Sequence, residues 1–91
     1  MASGGKIEIE KFNDQSFELW KLKMEDLLVD IDLWIVVDPV TKPTAISDEH
    51  WKKLDRKAKS TIQLCVSDSI LLNLSREATV NNLWEKLGNL Y

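Results

Sequence analysis

The spacing of apolar residues along the chain changes near residue 17 from a period of two to a helical period. Residues 6–11 alternate charged and apolar side chains, which predicts a short extended arm. The small residues at 1–5 before it predict a flexible N-terminus. From Phe17 onward, apolar residues recur every three or four positions. This pattern predicts an all-α fold, a small bundle of about four to five helices, within one domain at residues 6–91.

The first helical segment carries two groups of apolar residues on different sides. The larger group lies within an arc of about 100° and predicts the core-facing stripe. Its members are Phe17, Trp20, Met24, Leu27, Leu28 and Ile31. Leu22 and Val29 share another side of the same helix. They are either apolar residues exposed by chance or a contact surface for self-association. The Asn13-Asp14 pair before this helix is expected to cap it.

The middle of the chain predicts a short helix, a loop and then a long helix. Residues 32–37, which include Trp34, are apolar and predict a short helix, and the two prolines that follow predict a loop over residues 38–45. Ser47 predicts the N-cap of the long helix. The core stripe of that helix contains Trp51, Leu54, Ala58, Thr61, Ile62 and Cys65. Apolar residues spread around its C-terminal end, which we therefore expect to be the most buried part of the domain.

Two further helices complete the pattern. Ser67 and Asp68 predict the start of a short helix, and Thr79 predicts the N-cap of the last one. The last helix has one apolar face, made of Val80, Leu83, Trp84, Leu87, Leu90 and Tyr91. This face reaches the final residue without a glycine cap, which predicts that the chain is part of a longer polypeptide. We expect Trp20, Trp51 and Trp84 to converge on one core.

Composition narrows the class of protein. Hydrophobic residues make up 44% and charged residues 30% of the chain, the balance of an ordinary globular domain. The net charge of −3 argues against a domain whose main task is to bind phosphate backbones. A single cysteine excludes an internal disulfide. No apolar run reaches the roughly 20 residues of a membrane span or forms a signal peptide, so we expect a soluble intracellular protein without a membrane partner.

The sequence gives almost no signal for catalysis. His50 is the only histidine and stands in the first turn of a helix, where a surface role is the default. Cys65 lies on an apolar helix face, which favours an inert thiol over a nucleophile. The acidic residues lack the spacing and the glycine of a calcium loop, and no glycine-rich phosphate loop is present. We therefore predict no catalytic residue, metal site, cofactor or small-molecule substrate.

One charge pattern is more distinct. Five cations lie opposite the core stripe of the long helix, namely Lys52, Lys53, Arg56, Lys57 and Lys59. They form either a solvated outer face or a weak phosphate-binding face for RNA. Because no aromatic stacking residue is interleaved with them and the whole chain is acidic, the sequence favours the solvated face.

Four blocks of residues, in this order and spacing, carry a family resemblance. The first block is Phe12-Asn13 with Phe17, Trp20, Met24 and Leu28. The second is Leu33-Trp34 with Val37, the third is Trp51 with residues 55–58 and Ile62, and the fourth is Leu83-Trp84 with Leu87 and Tyr91. The chain resembles, from about Lys6 to its end, the N-terminal capsid region of the Gag polyprotein of copia-type LTR retrotransposons. It departs from many relatives at Asp14, where they have glycine.

The resemblance implies a retroviral-capsid-like N-terminal domain with a structural role. Copies of Gag would associate with one another, and with the downstream capsid region, into virus-like particles around the element's RNA in the cytoplasm. In the family, Gag continues into further capsid helices and then a zinc knuckle that binds RNA, and these 91 residues contain neither of the two. The alternative is a domesticated Gag-derived module that binds a peptide or helix of a cellular partner. The sequence does not decide between the assembly role and the partner-binding role.

Overall fold

The computed structural model describes residues 10–13, 15–38 and 41–91. Four α-helices account for most of them: α1 (Phe17–Asp30), α2 (Asp48–Leu64), α3 (Asp68–Leu74) and α4 (Val80–Leu90). A short 3-10 helix, Trp34–Val36, lies between α1 and α2. The all-α prediction is confirmed. Most of the predicted arm lies outside the described residues.

The core is built from one face of every helix. Sixteen hydrophobic residues are buried, and among the described residues no polar or charged side chain is buried with them. Of the predicted core positions, the buried ones are Trp20, Met24, Leu28, Ala58, Ile62, Val80, Leu83, Trp84 and Leu87. Helical spacing identified these positions because each helix buries only the residues that share one side of its axis.

The N-terminal segment is attached to the bundle through the connection between α2 and α3. The backbone N–H of Phe12 donates to the carbonyl of Cys65 at 2.9 Å, and the N–H of Ser67 donates to the carbonyl of Phe12 at 2.8 Å. The two bonds form an isolated parallel bridge between Phe12 and Val66. Both residues are 2% exposed, so the bridge satisfies backbone groups that would otherwise be buried without partners.

An aromatic cluster joins the two ends of the described chain. The ring of Phe12 lies 5.3 Å from that of Trp20 and 4.9 Å, edge-on, from that of Tyr91. Trp84 contacts Trp20 at 6.2 Å and Trp34 at 5.5 Å between ring centroids. Tyr91 is 39% exposed even though its ring packs against Phe12, so it closes the cluster at the surface.

Trp51 packs against the same core as Trp20 and Trp84, as predicted, but without contact between its ring and theirs. The indole N–H of Trp20 donates to the carbonyl of Cys65 at 3.0 Å, which places Trp20 at the C-terminal end of α2. Trp51 stands in the first turn of α2, and 14 residues of helix at about 1.5 Å each put it roughly 20 Å from Cys65. It is half-buried against the core. Helical spacing fixes the side of a helix on which a residue lies, but not which neighbour it meets.

The helix starts match the sequence for α2, α3 and α4 and differ for α1, although of the three matching N-caps only Ser47 and Thr79 make a side-chain capping bond. The hydroxyl of Ser47 accepts from the backbone N–H of His50 at 3.1 Å, and that of Thr79 accepts from Asn82 at 3.2 Å. Both predicted caps are confirmed. The expected Asn13-Asp14 cap of α1 is wrong, because α1 follows Ser16, whose φ of 57° is left-handed and whose side chain makes no capping bond. Asp14 lies outside the described residues.

The end of α1 explains why the next helix is short. The N–H of Leu33 donates to the carbonyl of Leu28 at 2.8 Å, and that of Asp32 to Val29 at 3.1 Å. This pair of bonds is a Schellman motif, in which the chain reverses through a left-handed residue. That residue is Asp32, with φ of 61°. Leu33 is then buried, and only the three residues of the 3-10 helix follow before the loop.

Several apolar residues are more exposed than the sequence suggested. The end of α2 is not the most buried part of the domain, because Leu64 is 73% exposed and Cys65 is only half-buried. Ile31 is 37% exposed because the helix has already ended at Asp30. Leu90 on α4 is 50% exposed. No helix of the described chain is long and apolar enough to cross a membrane.

Candidate functional site: a cleft and two outer stripes

A cleft of about 710 Å³ opens between α2 and the start of α4. One wall is the outer side of α2, and the other is the connection from α3 to α4. The residues that line it are Trp51, Lys52, Asp55, Arg56, Lys59, Ser60, Gln63, Ala78, Thr79 and Asn81. Of these residues, the sequence analysis proposed Lys52, Arg56 and Lys59 for RNA contact and placed Trp51 in the core stripe. The sequence did not indicate that the far wall belongs to a cleft, because only the tertiary fold brings its residues opposite α2.

Two polar contacts across the cleft hold its walls at a fixed separation. A carboxylate oxygen of Asp55 accepts from the backbone N–H of Val80 at 3.0 Å, which satisfies a free donor at the start of α4. The ammonium of Lys59 donates to the carbonyl of Glu77 at 3.1 Å. These two residues therefore stabilise the fold. The side-chain amide of Asn81, which also lines the cleft, donates to the carbonyl of Val37 at 2.7 Å.

The cleft combines an aromatic surface with positive charge. Trp51 is half-buried, so part of its indole remains open. Lys52 and Arg56 are exposed beside it and are not among the ion pairs that the described residues form. A flat apolar surface next to two cations suits a ligand that has a planar ring and an anionic group.

The five predicted cations line two neighbouring depressions on α2. Lys53 and Lys57 lie farther around α2, where with Arg56, Ser60 and Thr61 they line a shallower groove of about 380 Å³. Lys59 is tied to the carbonyl of Glu77. Arg56 and Ser60 line both the cleft and the groove, so the five cations occupy one wide arc on the outer side of α2, with Lys59 at its edge beside the α3–α4 connection. Their contact with RNA stays a prediction.

The outer side of α1 exposes a row of apolar residues. Leu22 is 63% and Val29 is 53% exposed, so both predicted surface residues are accessible. Leu19, which the sequence analysis did not single out, is 54% exposed and lies three positions before Leu22. We define the α1 outer stripe as Leu19, Leu22, Asp26 and Val29, which are spaced three, four and three residues apart and so share one side of the helix.

The residues considered for catalysis stand apart from one another. His50 is exposed at the start of α2. Burial raises the pKa of the Cys65 thiol above its ordinary value, an effect that nearby Lys11 partly offsets. A thiol with a raised pKa is less nucleophilic at neutral pH. Within residues 10–13, 15–38 and 41–91, no group of His, Cys, Asp and Glu is arranged to hold a metal ion.

Comparison with known proteins connects this domain to a family. The family model of the gag polypeptide of LTR copia-type elements matches residues 24–91. The chain is also 40% identical, over 91 residues, to the Retrovirus-related Pol polyprotein from transposon TNT 1-94 of Nicotiana tabacum. This alignment covers 98% of the chain and 7% of the tobacco protein, so the chain spans a small part of that relative. No solved structure matches.

The family assignment follows from the extent of the match. The model begins at the buried Met24 in α1 and runs through all the later helices to Tyr91. The resemblance drawn from the four blocks is thereby confirmed. The family is structural and not catalytic, and the chain belongs to the gag polypeptides of copia-type LTR retrotransposons.

Proposed function

We propose that this domain is an assembly module: copies associate with one another, and with the capsid region that follows in Gag, into virus-like particles around the element's RNA in the cytoplasm. The observation that carries the proposal is the α1 outer stripe. A domain in a structural family has three aliphatic side chains in one row, each more than half exposed. Exposed aliphatic side chains in one row on a small domain favour association, because covering them releases ordered water.

The expected strength of one such contact is modest. Only three aliphatic side chains would be covered on one partner, and full burial of such a side chain contributes about 1.5–3 kcal/mol relative to full exposure. Association also costs translational and rotational freedom, so a single contact is expected to be weak. A particle repeats the same contact many times, which makes weak interfaces sufficient.

The test compares two leucines of similar exposure. Leu22→Asp places a charge in the α1 outer stripe, whereas Leu72→Asp places one at a residue of α3 that is 75% exposed and outside the stripe. Sedimentation velocity over a concentration series is expected to show self-association of the unchanged chain and of the Leu72 variant, and its loss in the Leu22 variant. A strictly monomeric unchanged chain, together with a full-length Gag that forms no particles, would refute the proposal.

A second candidate function is RNA contact in the cleft between α2 and α4. The specific observation is Trp51, which supplies the aromatic surface that the sequence pattern alone did not connect with Lys52 and Arg56. Stacking of one base on an aromatic ring contributes about 1–3 kcal/mol, and the two cations would contact phosphates. The domain's net charge of −3 makes such binding weak and dependent on salt.

The cleft hypothesis is tested by titration with a single-stranded oligouridylate at low and physiological salt. Binding is expected to be lost in Trp51→Leu and weakened in Arg56→Gln, but unchanged in Lys57→Gln, whose side chain lies outside the cleft. Absence of binding at both salt concentrations would reject it. Equal binding of an acidic peptide would instead favour the alternative of a module for a protein partner.

A further inference from the structure

We propose that the α1 outer stripe of one copy packs against a second stripe, on α2, of another copy. We define the α2 outer stripe as Lys53, Lys57, Ser60 and Leu64, which are spaced four, three and four residues apart. All four are exposed, and Leu64 is 73% exposed. This inference rests on the proposed self-association and identifies the two surfaces that meet.

The two stripes match in length and position. Leu19 to Val29 spans ten helical steps and Lys53 to Leu64 spans eleven, so the rows are about 15 and 16 Å long at 1.5 Å per residue. Each stripe lies on the side of its helix away from the buried residues. Alternating spacings of three and four are those by which two helices pack side by side.

Charge indicates which pairing is favoured. The 14 residues of α1 contain four carboxylates and two lysines, a net charge of −2. The 17 residues of α2 contain five cations and three carboxylates, a net charge of +2 with neutral His50. Contact of α1 with α1, or of α2 with α2, would bring like charges together. Contact of α1 with α2 brings opposite charges together, which fixes the choice of partner.

The order of residues also selects a direction. When the helices run antiparallel, Asp26 meets Lys57 and Leu19 meets Leu64 at one end of the contact. When they run parallel, Leu19 meets Lys53 and Asp26 meets Ser60, so an apolar side chain covers a charge and the ion pair is lost. The antiparallel arrangement also sets Val29 opposite Lys53 and Leu22 opposite Ser60, but it keeps one ion pair and one apolar pair. The parallel arrangement has no ion pair and sets both leucines, Leu19 and Leu22, against lysines. We therefore assign the antiparallel arrangement to the contact.

The consequence is a contact that can propagate. The two surfaces differ, so a pair formed through them leaves one α1 stripe and one α2 stripe uncovered. Such a head-to-tail contact continues into rings or open arrays, whereas a contact between identical surfaces stops at a dimer. A shell-forming domain requires at least one contact of the propagating kind.

Charge exchange tests the pairing directly. Asp26→Lys and Lys57→Glu each put like charges together, and each is expected to shift self-association to about tenfold higher concentration. The variant with both changes restores opposite charges and is expected to associate as the unchanged chain does. Glu85→Lys and Arg76→Glu make the same changes in charge at exposed residues away from the stripes and from the cleft, and they serve as controls. Circular dichroism verifies that every variant is folded.

The outcomes separate this inference from the proposed function. If the unchanged chain and the single variants associate equally, the pairing of α1 with α2 is wrong while self-association stands. If both single variants are weakened but the double variant is not restored, the two residues do not meet and the pairing is again wrong. If the unchanged chain does not associate and full-length Gag also forms no particles, the proposed function itself fails. Recovery in the double variant alone supports the inference.

Discussion

Replacement of Trp20 by phenylalanine tests the central feature of the fold, the aromatic cluster at the end of α2. Trp20 is 5% exposed, and its ring lies between those of Phe12, at 5.3 Å, and Trp84, at 6.2 Å. Its indole N–H donates to the carbonyl of Cys65 at 3.0 Å. The phenyl ring keeps an aromatic contact but removes the hydrogen bond and one ring of the indole.

Three contributions give the expected loss of stability. The lost hydrogen bond costs about 1 kcal/mol, and no more, because the carbonyl of Cys65 still accepts from Phe12. A residual cavity of about 40 Å³ at ~24 cal/mol per Å³ costs about 1 kcal/mol. The loss of about 40 Å² of buried apolar area costs about another 1 kcal/mol. The total of about 3 kcal/mol is a large share of the 5–14 kcal/mol or so expected for a domain of this length.

Urea unfolding followed by circular dichroism measures this loss. With a denaturant slope of about 1.5 kcal/mol per M, the midpoint is expected to fall by about 2 M. Trp51→Phe is the matched control, because Trp51 is half-buried and its indole takes part in none of the ring contacts of the cluster. It is expected to cost about 1 kcal/mol or less. Equal losses in the two variants would refute the distinction between the buried cluster and the cleft.

Two further substitutions and the reactivity of one thiol have defined outcomes. Asp32→Gly is expected to raise the free energy of unfolding, measured by urea titration, by about 0.5–1 kcal/mol, because glycine adopts the φ of 61° without strain. A decrease would contradict the Schellman assignment. Asp55→Ala is expected to lower it by about 1–2 kcal/mol through loss of the bond to the Val80 N–H, while an unchanged midpoint would show that water replaces the carboxylate. Because burial raises the pKa of Cys65 from 9.0, its thiol is expected to react slowly with a thiol reagent at pH 8 and faster when the protein is unfolded in urea, and equal reaction rates would exclude the burial effect. The unfolded chain loses the thiol proton at a lower pH than the folded one, so the free energy of unfolding should be constant below pH 9 and fall above it.

The sequence predicted the parts of the fold that depend on local rules. The caps at Ser47 and Thr79 follow from side-chain oxygens that reach a backbone N–H three residues ahead. The core positions follow from helical spacing. Both rules involve residues within a few positions of one another, so no knowledge of tertiary structure is needed.

The parts that could not be predicted depend on where one helix meets another. Trp51 and Cys65 share one stripe on α2, yet only the Cys65 end meets Trp20. The cleft has a far wall at Ala78 and Thr79, and its rigidity comes from the bond between Asp55 and Val80, 25 positions apart. Nothing in the spacing of residues along α2 indicates which part of α4 lies beside it.

Exposure alone does not single out a candidate interface, and a comparison of four leucines gives the reason for the surfaces proposed above. Leu72 is the most exposed of them at 75%, but no other large exposed hydrophobic of the described chain lies on α3. Leu19 and Leu22 are less exposed, yet they continue through Asp26 to Val29 along a side of α1 that the core never uses. Leu64 ends the α2 outer stripe, whose two lysines carry the charge opposite to that of Asp26. A helix that is apolar on both sides buries one of them within its own domain, and the other remains available for a neighbouring copy.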